Sequence, residues 1–104
     1  LMVIKKDGTF EPFDRNKLMR GIFNAIKKRP VNIERVNKIA EDVENHFANA
    51  MISQTTSEEI GNMTLELLKD VDDVAYIRFA SVYKAFTSVE GFITAISELD
   101  RKHK

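Results

Sequence analysis

Two short stretches hold the side chains best suited to chemistry: Lys5-Lys6-Asp7-Gly8 and, a little further on, Asp14-Arg15-Asn16-Lys17. Clustered ammonium groups beside a tight turn suit the binding of an anion. Lys17 falls in the first turn of a helix that Asp14 is placed to cap. There the unpaired backbone N–H groups and the helix dipole already favour negative charge. A cation at that position is unfavourable for an exposed helix by about 0.3–1 kcal/mol, and a bound phosphate would reverse the sign. Lys5 and Lys6 are neighbours in an extended segment and point to opposite faces, so they cannot serve one site through the same face. The plainer alternative is a hairpin carrying solvated lysines, and periodicity alone favours it.

The elements that must hold these groups are legible. Leu1-Met2-Val3-Ile4 is an apolar, strand-like run, and Asp7-Gly8 meets the positive-φ demand of a tight hairpin turn. The return strand covers Thr9 to Phe13, with Pro12, which has no N–H to donate, expected at an edge or a strand end. Beyond it the pattern is helical. Asp14 caps a helix with Leu18, Ile22, Ala25 and Ile26 inward, ended by Pro30. Asn32 caps a second with Ile33, Val36, Ala40, Val43 and Phe47 inward. Thr56 and Glu59 have the spacing of a capping box ahead of Ile60, Met63, Leu67 and Leu68. Asp72 or Asp73 caps a fourth helix with an inner stripe of Ala75, Phe79, Val82 and Phe86. Ser88 opens a short last helix with Val89, Phe92, Ile93 and Ile96. The fold class expected is mostly α within α+β: an N-terminal β-hairpin packed on four to five helices.

The 104 residues suit one domain with one modest core. With 43% hydrophobic and 31% charged residues the composition is that of a soluble globular protein. No apolar run approaches the ~20 residues needed to cross a bilayer, so no membrane partner and a cytoplasmic location are expected. Without cysteine there is neither a disulfide framework nor a cysteine zinc site. The net charge is zero but unevenly spread: residues 1–38 hold ten Lys/Arg against four Asp/Glu, and residues 39–74 one against nine. The basic first third suits an anionic partner, and a small helical nucleic-acid-binding module stays open as one reading of it. No G-x-x-x-x-G-K-[ST] loop occurs, and no context supports a catalytic triad. His46 and His103 are placed as surface residues rather than as a metal pair. No enzyme activity is expected.

The ordered set of motifs carries a resemblance. V-I-K-K-D-G followed by F-D-R-N-K is similar to the ATP-cone signature, V-x-K-[RK]-D-G and then F-[DN]-x-x-K. The chain continues with R-P-V at Arg29 to Val31, S-E-E-I-G at Ser57 to Gly61, and V-A-Y-I-R-F-A-S-V-Y-K-A-F at Val74 to Phe86. Nearly the whole chain resembles the ATP-cone family, in the version carried by NrdR repressors of ribonucleotide reductase genes. A cone from a reductase catalytic subunit is the alternative setting, and the R-P-V and F-A-S-V-Y segments count against it.

The resemblance implies an allosteric domain over residues 1–98, with 99–104 a frayed tail. It implies that ATP and dATP, with Mg²⁺, compete for the cone, and that the occupant sets which homo-oligomer forms. Val3 would lie beside the adenine, with Lys5 and Lys6 on base or phosphates. Glu11 would accept from the adenine amino group, Lys17 would bind phosphate, and Ser57 would lie close to the nucleotide. Phe79 and Tyr83, four apart on one helix face, would lie near it too, with Arg78 and Lys84 as further cations. In the NrdR repressors whose cone this chain resembles, a zinc ribbon with paired C-x-x-C motifs precedes the cone. Operator DNA and zinc therefore belong to that ribbon, which is absent from this cysteine-free chain.

Overall fold

The hairpin forms where Asp7-Gly8 predicts it, but by a different turn. In the computed structural model, which describes residues 1–84 and 88–103, Gly8 N–H donates to the Lys5 carbonyl at 2.9 Å and Lys5 N–H to that of Thr9 at 2.8 Å. Only Gly8 of the pair has positive φ, at +86°. This is a three-residue loop closed by a left-handed glycine, not the two-residue turn that needs two such residues. Asp7 braces it by accepting from the Thr9 N–H at 3.0 Å and the Thr9 hydroxyl at 2.6 Å.

Strands β1 (Met2–Ile4) and β2 (Phe10–Pro12) pair antiparallel, with Val3 opposite Glu11. Pro12 lies on edge strand β2, where its missing N–H costs no ladder bond. A third strand, β3 (Gln54–Thr56), runs parallel to β1 on its other side, giving the order β2-β1-β3. It escapes the sequence reading because Q-T-T has no apolar alternation, and a parallel partner some fifty residues away leaves no local trace.

Helices follow at α1 (Arg15–Ala25), α2 (Ile33–Asn49), α3 (Ser57–Leu68), α4 (Asp73–Lys84) and α5 (Val89–His103). The caps are those the sequence marks. Asp14 accepts from the N–H groups of Asn16 and Lys17, Asn32 from Glu34, Thr56 from Glu59, and Asp72 from Ala75. The capping box at α3 is not reciprocated, because the Glu59 carboxylate takes the Thr55 hydroxyl instead. Helix α1 stops at Ala25, ahead of Pro30. The Arg78 guanidinium donates to the Ala25 and Lys27 carbonyls at 3.3 and 2.6 Å, satisfying acceptors the helix end leaves open. None of the described helices is long and apolar enough to cross a membrane.

Two apolar clusters form the interior. The larger joins Ile22 and Ala25 of α1, Val36 and Ile39 of α2, Leu65 and Leu68 of α3, Ala75, Tyr76 and Ala80 of α4, and Ala95 and Leu99 of α5. The smaller ties the sheet to the helices through Val3, Val43, Phe47 and Ile60, and Leu18 and Leu67 pack against both.

The expected inner stripes of α1, most of α2, and α3 are inside; on α4 Ala75 is buried and Phe79 packs against the core but Val82 does not, and the stripe expected of α5 is out of phase. Val82 is 83% exposed, while Tyr76 and Ala80 take the interior. On α5, Val89 is 73% exposed, and Phe92, Ile93 and Ile96 are also outside, whereas Ala95 and Leu99 are buried. Ile33, at the start of α2, is 60% exposed as well. Helix α5 packs chiefly on α4, so a single neighbour selects which stripe it hides, and Val89, Phe92, Ile93 and Ile96 stay partly or largely exposed. Phe86 lies outside the described residues.

Candidate functional site

The hairpin, the start of α1, the start of α3 and the middle of α4 converge on one cavity of about 250 Å³. Val3 and Glu11 face it together because they are register partners. Lys5, two residues beyond Val3, reaches the same side. Lys6 is exposed in the turn and does not line the cavity, as alternation requires. Helix α1 adds Asp14, Lys17, Leu18 and Gly21; α3 adds Ser57 and Ile60; Phe79 of α4 closes the far wall. Of the eight residues singled out from sequence, Val3, Lys5, Glu11, Lys17, Ser57 and Phe79 share this cavity.

The cavity has a charged end and an apolar end. At the charged end the Glu11 carboxylate accepts from the Lys17 ammonium at 2.9 Å and lies 3.7 Å from that of Lys5. The Lys17 hydrogen bond holds the Glu11 carboxyl below its usual range. The misfit expected of a cation in the first turn of α1 is therefore relieved within the protein, by Glu11 and by the Asp14 cap. That misfit does not by itself demand a bound phosphate. The apolar end is formed by Val3, Phe13, Leu18, Ile60 and Phe79, surfaces able to take the faces of a flat ring. No group of His, Cys, Asp or Glu suited to a metal ion occurs among the described residues.

Tyr83 stands outside this cavity. It lines a neighbouring one of about 300 Å³ with Asn24, Arg78 and Val82, and Gly21 and Phe79 border both. Its ring stacks on Phe79 at 6.2 Å between centroids, and its hydroxyl donates to the Glu58 carbonyl at 2.6 Å. Arg78 is engaged with the end of α1. Phe13, Leu18, Gly21 and Ile60 are wall residues that sequence reasoning passed over. Phe13 lies within F-D-R-N-K and had a signal; a helical Gly21 had none.

Tyr83 lies so close over Gly61 that a Cβ there would fall within its ring. Alanine in place of a helical glycine normally stabilises by about 0.8–1 kcal/mol. Here Gly61→Ala is expected to destabilise by about 1 kcal/mol or more, since the ring must swing out and release Glu58. In a Tyr83→Ala background the same change should be neutral or stabilising. Denaturant midpoints of the four proteins check this, and a stabilised single variant would refute it.

A family model described as the ATP cone domain matches residues 1–89, spanning the hairpin and helices α1 to α4 that build the cavity. The chain belongs to the ATP-cone family. Three relatives show which branch this cone resembles, each a protein named transcriptional repressor NrdR. The chain is 48% identical over 99 residues to that of Caldicellulosiruptor bescii, covering 95% of this cone and 65% of the relative. It is 48% identical over 102 residues to that of Dictyoglomus thermophilum, covering 98% and 68%. To that of Geobacillus kaustophilus it is 44% identical over 102 residues, covering 98% and 67%. This ATP-cone thus spans about 65% of the length of the first of these relatives. The expected hairpin-and-helix domain is the one observed, extended by the parallel strand β3.

Proposed function

We propose that this cone binds ATP or dATP, accompanied by Mg²⁺, in the cavity between the hairpin and helices α1, α3 and α4. The observation that carries the reading is the convergence of Val3, Lys5, Glu11, Lys17, Ser57 and Phe79, drawn from the hairpin and three helices, on one cavity whose wall combines a Lys5–Glu11–Lys17 charge cluster with apolar surfaces. Lys5 and Lys17 serve the phosphates, and Val3 and Phe79 the base. Lys6 and Tyr83 act from the rim. The domain is regulatory, working within a repressor of ribonucleotide reductase genes, and the relatives named NrdR favour that setting over a reductase catalytic subunit. The bound nucleotide sets how copies of the chain assemble. The exposed apolar residues of α5 supply a surface suited to that. DNA contact belongs to a zinc ribbon elsewhere in such a protein.

Calorimetric titration with ATP, dATP and GTP, each with Mg²⁺, tests the reading. Adenine nucleotides should bind at micromolar or better affinity and ahead of GTP. Equal affinity for both bases, or none for either, would sink it. Light scattering on the same samples should show different mass distributions with ATP and with dATP. Identical masses would remove the assembly claim for this chain.

A further inference from the structure

Helix α1 ends in open backbone acceptors, and one side chain of α4 closes them. The Nη1 group of Arg78 donates to the Ala25 carbonyl at 3.3 Å and to the Lys27 carbonyl at 2.6 Å, bridging the two. The partial negative charge at a helix C-terminus favours a guanidinium there. The next residue of α4, Phe79, lines the cavity and meets α1 at Gly21, one turn before Ala25. A Cβ on Gly21 would lie 3.6 Å from the Phe79 ring. With glycine opposite it, the ring has no side chain to lock against. This contact alone does not fix how α4 sits along α1.

We propose that Arg78 is a positioning residue for the nucleotide site: its clasp on the end of α1 holds Phe79 where the ring closes the apolar end of the cavity. The proposal rests on the nucleotide reading above and deepens it, because recognition of the base then depends on a residue that stands outside the cavity wall. A backbone carbonyl moves only with its helix, so a bond to it carries the position of α1 to α4 without side-chain play. The charged end is built elsewhere: Lys5 belongs to the hairpin, and Lys17 lies roughly 12 Å back along α1 from Ala25. Loss of the clasp therefore loosens the base end and leaves the phosphate end as it was. Arg78 is exposed, so the freed carbonyls can take water and the fold is kept.

The experiment uses Arg78→Met, which keeps an apolar stem and removes the donors. Calorimetry compares ATP with inorganic tripolyphosphate, each with Mg²⁺, on the parent and the variant, and melting temperatures check folding. ATP should bind the variant about tenfold more weakly, and tripolyphosphate within about twofold of the parent. Adding Phe79→Ala should cost ATP binding little more than Phe79→Ala costs alone, because both changes remove the same wall. An equal loss for the two ligands would make Arg78 a phosphate contact. Unchanged ATP affinity would make it structural only, and additive losses would mean that it acts apart from Phe79. Each of these overturns the proposal. Proton NMR without ligand gives an independent decision, since the Gly21 α-proton shifts in Arg78→Met should move toward those in Phe79→Ala. Shifts that stay at the parent values overturn the proposal as well. That measurement decides even if ATP fails to bind the parent, an outcome that would instead remove the nucleotide reading.

Discussion

Lys17→Ala should weaken ATP binding about ten- to a hundredfold, the scale of a charge-assisted hydrogen bond. Two losses of the same sign combine. The ammonium no longer meets the phosphates, and the Glu11 carboxylate loses the 2.9 Å partner that holds it in place on the cavity wall. Stability without ligand should hardly change, with the melting temperature held within about 3 °C. The Lys17–Glu11 pair is exposed on one side, and removing a cation from the first turn of α1 suits the helix dipole. Lys17→Arg should retain much of the affinity. If the alanine variant melts much lower and binds poorly only as a consequence, Lys17 is structural. If it binds ATP as tightly as the parent, the phosphates lie elsewhere.

Asp72→Ala should produce the largest loss of stability among the polar substitutions considered. Asp72 is nearly buried and holds two elements at once. One carboxylate oxygen caps α4 through the Ala75 N–H, and the pair of oxygens grips Arg29 in a fork at 2.9 and 2.8 Å. The cap alone is worth about 1 kcal/mol. Leaving the Arg29 fork without its partner adds to that, so the melting temperature should fall by more than about 5 °C. Arg29 and the bond from Ala75 hold the Asp72 carboxyl below its usual range. The stability that this contributes is complete above the ordinary carboxylate pKa of about 4 and is lost as pH falls through the depressed folded value. The parent should therefore lose stability in acid more steeply than Asp72→Asn. Parallel acid profiles for the two would refute the assignment, as would an alanine variant that melts with the parent. The α4 that Asp72 anchors carries Phe79, so ATP affinity should fall with stability in this variant, the reverse of the pattern at Lys17.

Much of this architecture is written locally. A cap side chain bonds an N–H two or three residues ahead, and a left-handed turn needs a glycine at that place. Asp14, Asn32, Thr56 and Gly8 could therefore be read directly, with Asp72 one of two candidates for its cap, as could the inward faces of α1 and α3, whose apolar residues recur at helical spacing. The cavity's membership was legible through resemblance rather than periodicity. Alternation alone separates Lys5 from Lys6, without saying which of them faces a site.

The sequence by itself determined the caps, the hairpin, the helical order and the kind of domain, because each rests on short-range chemistry or on whole motifs. Tertiary structure decided what depends on distant neighbours. Gln54–Thr56 is a strand only because β1 lies beside it. Arg29 of R-P-V finds its role forty-three residues away at Asp72. Helices α4 and α5 bury stripes chosen by the surfaces they meet, so Tyr76, Ala80, Ala95 and Leu99 are inside while Val82, Val89 and Ile93 face out. Glu11 stands between two lysines because its register with Val3 and the entry of α1 bring the three charges to one point. No spacing along the chain carries that, since Coulomb attraction acts on distance in space and not on position in sequence.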